Sequence, residues 1–61
     1  MTPAEIKSRR LALGMTQGDL ADAIRKRVPG SLCRIMTVSR WERGAKSPSS
    51  IYALALKKVL G

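Results

Sequence analysis

Helix punctuation is the strongest constraint in this chain. Thr2-Pro3-Ala4-Glu5 opens with a residue that caps, a proline suited to the first helical turn and a glutamate placed to complete a capping box. Gly14 then stops the segment, so a first helix is predicted from Pro3 to about Leu13. Its inward stripe is Ile6, Arg10 and Leu13, spaced i, i+4, i+7. The same device repeats at once. Thr16 caps a second helix, Asp19 stands at its third position, and Leu20, Ala21 and Ile24 form its buried face. Ala21 is small enough to let a neighbouring helix come close. Arg25-Lys26-Arg27 sets positive charge at the C-terminal end, where the helix dipole favours it, and Pro29-Gly30 is a turn. A third helix is placed near residues 36–43 with Gly44 as its terminator. A fourth runs from about Ser50 to Leu60 after a loop rich in capping residues. Residues 31–36 suit either a loop or the first turn of the third helix. The expected class is all-α, one domain over residues 1–61, with no repeat and no linker.

Length and charge narrow the functions open to such a chain. A domain of 61 residues buries only about 60% of its unfolded surface, so the core is thin. The single cysteine, Cys33, excludes an intrachain disulfide, and with no histidine and no C-x-x-C a zinc site lacks its ligands. The chain therefore reads as reduced and cytoplasmic, with no metal, cofactor or small-molecule ligand. The N-terminus has no apolar run of the signal-peptide kind, and no stretch approaches the roughly 18 apolar residues of a membrane span. Without histidine, clustered carboxylates or a glycine-rich phosphate loop, an enzyme is not expected. Twelve Lys and Arg against four Asp and Glu give a net charge of +8, the footprint of a polyanion binder. Charge alone does not separate nucleic acid from an anionic membrane. Capping boxes and an inward tryptophan argue for a fixed fold and against a membrane-active peptide. Trp41 and Tyr52 are the only aromatics, which leaves little for stacking on RNA bases.

Thr37-Val38-Ser39-Arg40-Trp41-Glu42-Arg43-Gly44 turns Val38 and Trp41 inward at i, i+3 and sends its polar side chains outward. Preceded by Met15-Thr16-Gln17-Gly18-Asp19-Leu20-Ala21 in so basic a chain, it suggests a helix-turn-helix that reads DNA. Arg40 precedes the inward Trp41 and so points away from the core, where a guanidinium can take guanine O6 and N7 together. Ser39 lies beside it. A solvated surface arginine is the bland alternative, and within this pattern base reading is preferred. Gln17, first in its helix, offers an unpaired backbone N–H to a phosphate. Arg43 and Lys46 flank Gly44 and are assigned to phosphates, as are Arg27 and Arg34. Arg9, Arg25 and Lys26 are weaker candidates. Ile35 and Met36 suit either a thymine methyl or the core, and the core is preferred. Arg10 falls in a buried stripe, where a guanidinium needs a partner.

The T-Q-x-x-L-A segment followed by T-V-S-R-W-E-R-G is similar to the phage Cro/C1-type repressors, the XRE-like helix-turn-helix domains, over roughly residues 3 to 61. The resemblance implies a compact four-helix, lambda-repressor-like DNA-binding domain. It implies that Thr37, Ser39 and Arg40 face the major groove. It also implies that Gln17 braces the recognition helix and the DNA backbone, and that Arg10 and Glu42 bridge the first and third helices. The implied function is a homodimeric repressor on a palindromic operator, of phage or mobile-element origin. Anti-CRISPR-associated autoregulators and restriction-modification controllers suit this size. The alternative is the antitoxin of a toxin–antitoxin pair, with a protein partner on the fourth helix.

The chain departs from that family in one place. Typical members hold the tryptophan position several residues nearer to the glutamine, whereas Gln17 and Trp41 are 24 apart here (41 − 17). The extra residues extend the connection between the second and third helices and carry Arg25, Lys26, Arg27 and Arg34 without an acid, so the insertion is read as an added DNA-contacting element. The fourth helix has its own surplus: eight of the ten residues from Ile51 to Leu60 are apolar, more than one stripe requires. A symmetric dimer through Ile51, Leu56, Val59 and Leu60 is expected to cover them.

Overall fold

The computed structural model describes all 61 residues and is all-helical: α1 Pro3–Ala12, α2 Gln17–Arg27, α3 Ile35–Glu42 and α4 Ser50–Leu60. Both capping boxes form. Thr2 Oγ1 accepts from the Glu5 N–H at 3.2 Å and Glu5 Oε1 accepts from the Thr2 N–H at 3.0 Å. Thr16 and Asp19 do the same at 3.0 and 2.9 Å. These bonds hold the Glu5 and Asp19 carboxyls below their ordinary range, the backbone N–H contributing most.

α1 and α3 end alike. After α1, Met15 N–H bonds to the Arg10 carbonyl at 3.1 Å and Gly14 N–H to the Leu11 carbonyl at 3.0 Å. After α3, Ala45 N–H bonds to the Arg40 carbonyl at 2.9 Å and Gly44 N–H to the Trp41 carbonyl at 3.2 Å. Both are Schellman closures, which need a left-handed residue, and Gly14 and Gly44 supply it with φ of 70° and 72°. This corrects one expectation. Leu13 is the C-cap of α1, outside the helical register, and is exposed. Met15, turned back by Gly14, packs against the core partly buried.

α3 starts one residue earlier than expected, and residues 31–34 are loop. Its N-cap is Arg34, which has no acceptor to offer. Thr37 Oγ1 accepts from the Arg34 N–H at 3.4 Å and closes that end in its place. Ile35 and Met36, in the first turn of α3, are exposed, so the preference for a core role is corrected.

The seven-residue connection from Val28 to Arg34 is pinned at both ends. Val28 packs against the core, and Cys33 is buried within it. Arg25 donates from Nη1 to the Cys33 carbonyl at 2.6 Å and pairs through Nη2 with Asp22. Arg25 is thus committed to holding the insertion against α2.

α2 packs on α3 and α4, and α1 packs on both of the same partners. Between them lie Ile6, Leu20, Ile24, Val38, Trp41 and Leu56. Trp41 meets Tyr52 of α4 with ring centroids 5.5 Å apart and planes inclined at 49°, a favourable tilted arrangement. α4 is the lid of this core, which corrects half of the expected dimer surface. Leu56 and Leu60 are 1% and 7% exposed within the single chain, because α1 and α2 already cover them. Val59 is half-buried. Ile51 and Leu54, at 58% and 57%, are the large apolar side chains that α4 leaves uncovered. No helix is long and apolar enough to cross a membrane.

Candidate nucleic-acid interface

The junction of α1, α2 and α3 is built on one carboxylate. Arg10 donates to Glu42 through Nε at 2.6 Å and Nη2 at 3.2 Å, a two-pronged contact. Its remaining Nη1 donates to the Met15 carbonyl at 2.7 Å. Gln17 Nε2 donates to the same Glu42 at 3.2 Å. The Arg10 and Glu42 side chains are only 8% and 4% exposed. Burial pushes the Glu42 carboxyl up, yet the Arg10 and Gln17 hydrogen bonds and the Arg10 charge, with a smaller pull from Lys7, outweigh it and hold the group below its ordinary range. The expected Arg10–Glu42 bridge is present. Gln17 joins it, so the first residue of α2 is fixed to the last residue of α3. The Gln17 backbone N–H has no acceptor within the fold.

From this anchor α3 turns Arg40 and Arg43 into solvent, with Thr37 and Ser39 half-buried on the same side. Thr37, Arg40 and Lys46 converge on a depression of about 210 Å³ that Ser47, Ser49 and Tyr52 complete. The Schellman closure at Gly44 accomplishes this by turning the chain back so that Lys46 returns beside Arg40. Ser39 adjoins the site and gives its carbonyl to Arg43, whose backbone N–H and Nε both donate to it at 3.0 and 3.4 Å.

The other expected contacts scatter. Arg34 lies in the groove between α2 and α3 beside Asp19 and Asp22, with Ile35 and Met36. The Ile35 side chain reaches over Gly18, where an added Cβ would lie 3.4 Å from its Cδ1, so this glycine permits the close approach of α3 to the start of α2. Arg27 lies apart from the α3 residues: it shares a different groove with Lys58, Ile51 and Leu54. Arg9 is also committed within the fold, donating to the Gly61 carbonyl at 2.6 Å and to Glu5 at 3.3 Å.

All four carboxylates are engaged: Glu5 and Asp19 in capping boxes, Asp22 with Arg25, and Glu42 with Arg10. Only Arg9, Arg10 and Arg25 are ion-paired, so nine of the twelve cations (12 − 3) have no carboxylate partner, Arg40, Arg43 and Lys46 among them. No group of three or more His, Cys, Asp or Glu gathers as a metal-ligand set. The surface around α3 is therefore a set of unpaired cations and hydroxyls on a rigid helix, suited to a polyanion with hydrogen-bonding edges. No protein-family profile, curated protein or solved structure matches the chain.

Proposed function

We propose that the chain is a sequence-specific DNA-binding regulator, an autorepressor of the Cro/C1 type, in which α2 and α3 act as a helix-turn-helix. One observation carries the reading. Arg40, with no carboxylate partner, stands beside Thr37 and Lys46 on the outer face of a helix whose position is locked to α1 and α2 by the Arg10–Glu42–Gln17 junction. In this reading α3 lies in the major groove, where Arg40 takes the O6 and N7 of one guanine and Ser39 and Thr37 contact neighbouring base edges. Lys46, Arg43 and the free N–H of Gln17 hold phosphates and set the register. Arg34 reaches the backbone only as an outlying contact, given its acidic neighbours.

Two copies occupy a palindromic operator, their recognition helices about 34 Å apart on one face of the duplex. Because Leu56 and Leu60 belong to the core, α4 offers a second copy less than the sequence suggested, and the pair assembles on the DNA. The protein works in the cytoplasm without catalysis, metal or cofactor. Selection from random oligonucleotides with the purified chain is the test: a palindromic consensus is expected, and the absence of enrichment refutes the proposal.

A further inference from the structure

The C-terminal end of α2 and the outer face of α4 bound a groove of about 550 Å³ that the DNA reading does not use. Its floor is apolar: Val28 from the connection, and Ile51 and Leu54, one helical turn apart on α4. Its rim is cationic, formed by Lys26 and Arg27 on one side and Lys58 on the other. None of the three has a carboxylate partner. Two large aliphatic side chains more than half exposed, side by side and framed by charge, mark an interaction surface.

Charge decides between a second copy and a different protein. In a two-fold contact each copy presents the same patch, so the rim of Lys26, Arg27 and Lys58 would meet an equally cationic rim. Like charges brought together at an interface oppose association unless carboxylates intervene. This chain has none to spare, since Glu5, Asp19, Asp22 and Glu42 are each held by a cap or an ion pair. The counter-charge must come from outside.

We infer that this groove docks an acidic amphipathic helix of a partner protein, with aliphatic residues on Ile51, Leu54 and Val28 and flanking Glu or Asp on Lys26, Arg27 and Lys58. The docked helix uses the helix-in-groove mode, its apolar stripe giving affinity and its carboxylates giving orientation. The inference stands apart from the DNA reading: the groove is a different surface from the Thr37–Arg40–Lys46 depression.

The test is a titration of isotope-labelled full chain, followed residue by residue by nuclear magnetic resonance. Three probes are used: a synthetic helical peptide with Leu at i, i+3, i+4 and i+7 flanked by Glu, the same composition shuffled to destroy the stripe, and a short random duplex. The patterned peptide should shift Val28, Ile51, Leu54 and Lys58 and leave Arg40 still, and the shuffled peptide should bind roughly tenfold more weakly or worse, having lost its aligned anchors. Leu54→Asp and Lys58→Glu should each weaken the patterned peptide by a similar factor. Both positions are exposed, so the helical content should persist, and Lys58→Glu alone suffices if Leu54→Asp fails to fold. Equal binding of both peptides would reduce the groove to a general polyanion attractor and overturn the inference. So would duplex DNA that shifts the groove residues as strongly as the peptide does, or sedimentation showing a wild-type dimer that Leu54→Asp splits.

Discussion

Removing the Arg10 guanidinium while keeping its bulk, as in Arg10→Met, leaves Glu42 buried with Gln17 as its sole remaining side-chain partner. Breaking a buried pair from one side costs about 3–5 kcal/mol, because the stranded charge is desolvated without compensation. At about 0.05–0.15 kcal/mol per residue, a domain of 61 residues has only about 3–9 kcal/mol in all. The variant should therefore stand at or near the edge of folding. Urea unfolding followed by Trp41 emission is the assay, since Trp41 is buried and reports loss of the core directly. Arg10→Met combined with Glu42→Leu should recover most of the loss, because an apolar pair of similar volume is nearly neutral in place of a buried ion pair. Acid adds a second check. The Glu42 carboxyl is depressed in the fold, so its contribution is complete above the unfolded carboxylate value and is lost as pH falls through the lower folded value. Without Arg10, burial favours the protonated Glu42, so the gap between wild type and variant should narrow as the solution is acidified through the carboxylate range. Single losses that simply add in the double variant, or a gap that does not change with pH, would refute the reasoning.

The remaining expectations are briefer. Arg40→Ala should cost about 1–3 kcal/mol on the selected operator and relax preference at one guanine, whereas Lys46→Ala should weaken all sequences alike; gel shifts on a base-substituted operator series separate the two. With Arg34, Arg43 and Lys46 as the cations on phosphate, two copies neutralise about six charges, so the log–log salt slope should be near −5, and a slope shallower than about −2 would remove most of these contacts. Leu56→Ala should destabilise the monomer by about 2–5 kcal/mol in urea melts, while Ile51→Ala should leave stability nearly unchanged. Gly44→Ala should lose about 1–2 kcal/mol from the left-handed φ alone, since its Cβ would meet only Pro3 at an ordinary 3.7 Å; an unchanged melting midpoint would contradict this.

The parts of the fold visible in the sequence are those decided within a few residues. Thr2, Glu5, Thr16 and Asp19 act on backbone groups three positions away, and Gly14 and Gly44 are compelled by local conformation, so helix starts and stops could be read directly. Val38, Trp41, Leu20, Ala21 and Ile24 followed helical periodicity into the core. The Arg10–Glu42 bridge joins residues 32 apart, and only the misplaced arginine in an apolar stripe, together with the family resemblance, pointed to it. α4 could not be oriented in this way: apolar on most sides, it has no single stripe, and its inward face is chosen by α1 and α2. The sequence pattern therefore does not separate the buried Leu56 and Leu60 from the exposed Ile51 and Leu54. Arg27 and Arg34 looked equivalent on a basic stretch. The turn at Val28–Ser31 and the buried Cys33 lie between them, and they line different grooves, a path set by packing that neighbouring residues do not encode.

The anchored connection also carries its own clock. Cys33 is sealed inside the core, and burial raises its thiol pKa, with the Arg25 charge pulling slightly the other way. A thiol so placed is inert toward alkylating reagents until the segment opens. It is the chain's only cysteine, so its labelling rate under native conditions, divided by that of a free thiol, measures the fraction of time the insertion is detached from α2. The rate can be followed with and without DNA, on the unmodified sequence. An operator that merely rests on α3 would slow the clock only as far as it suppresses unfolding of the whole chain; one that also grips the insertion would slow it further.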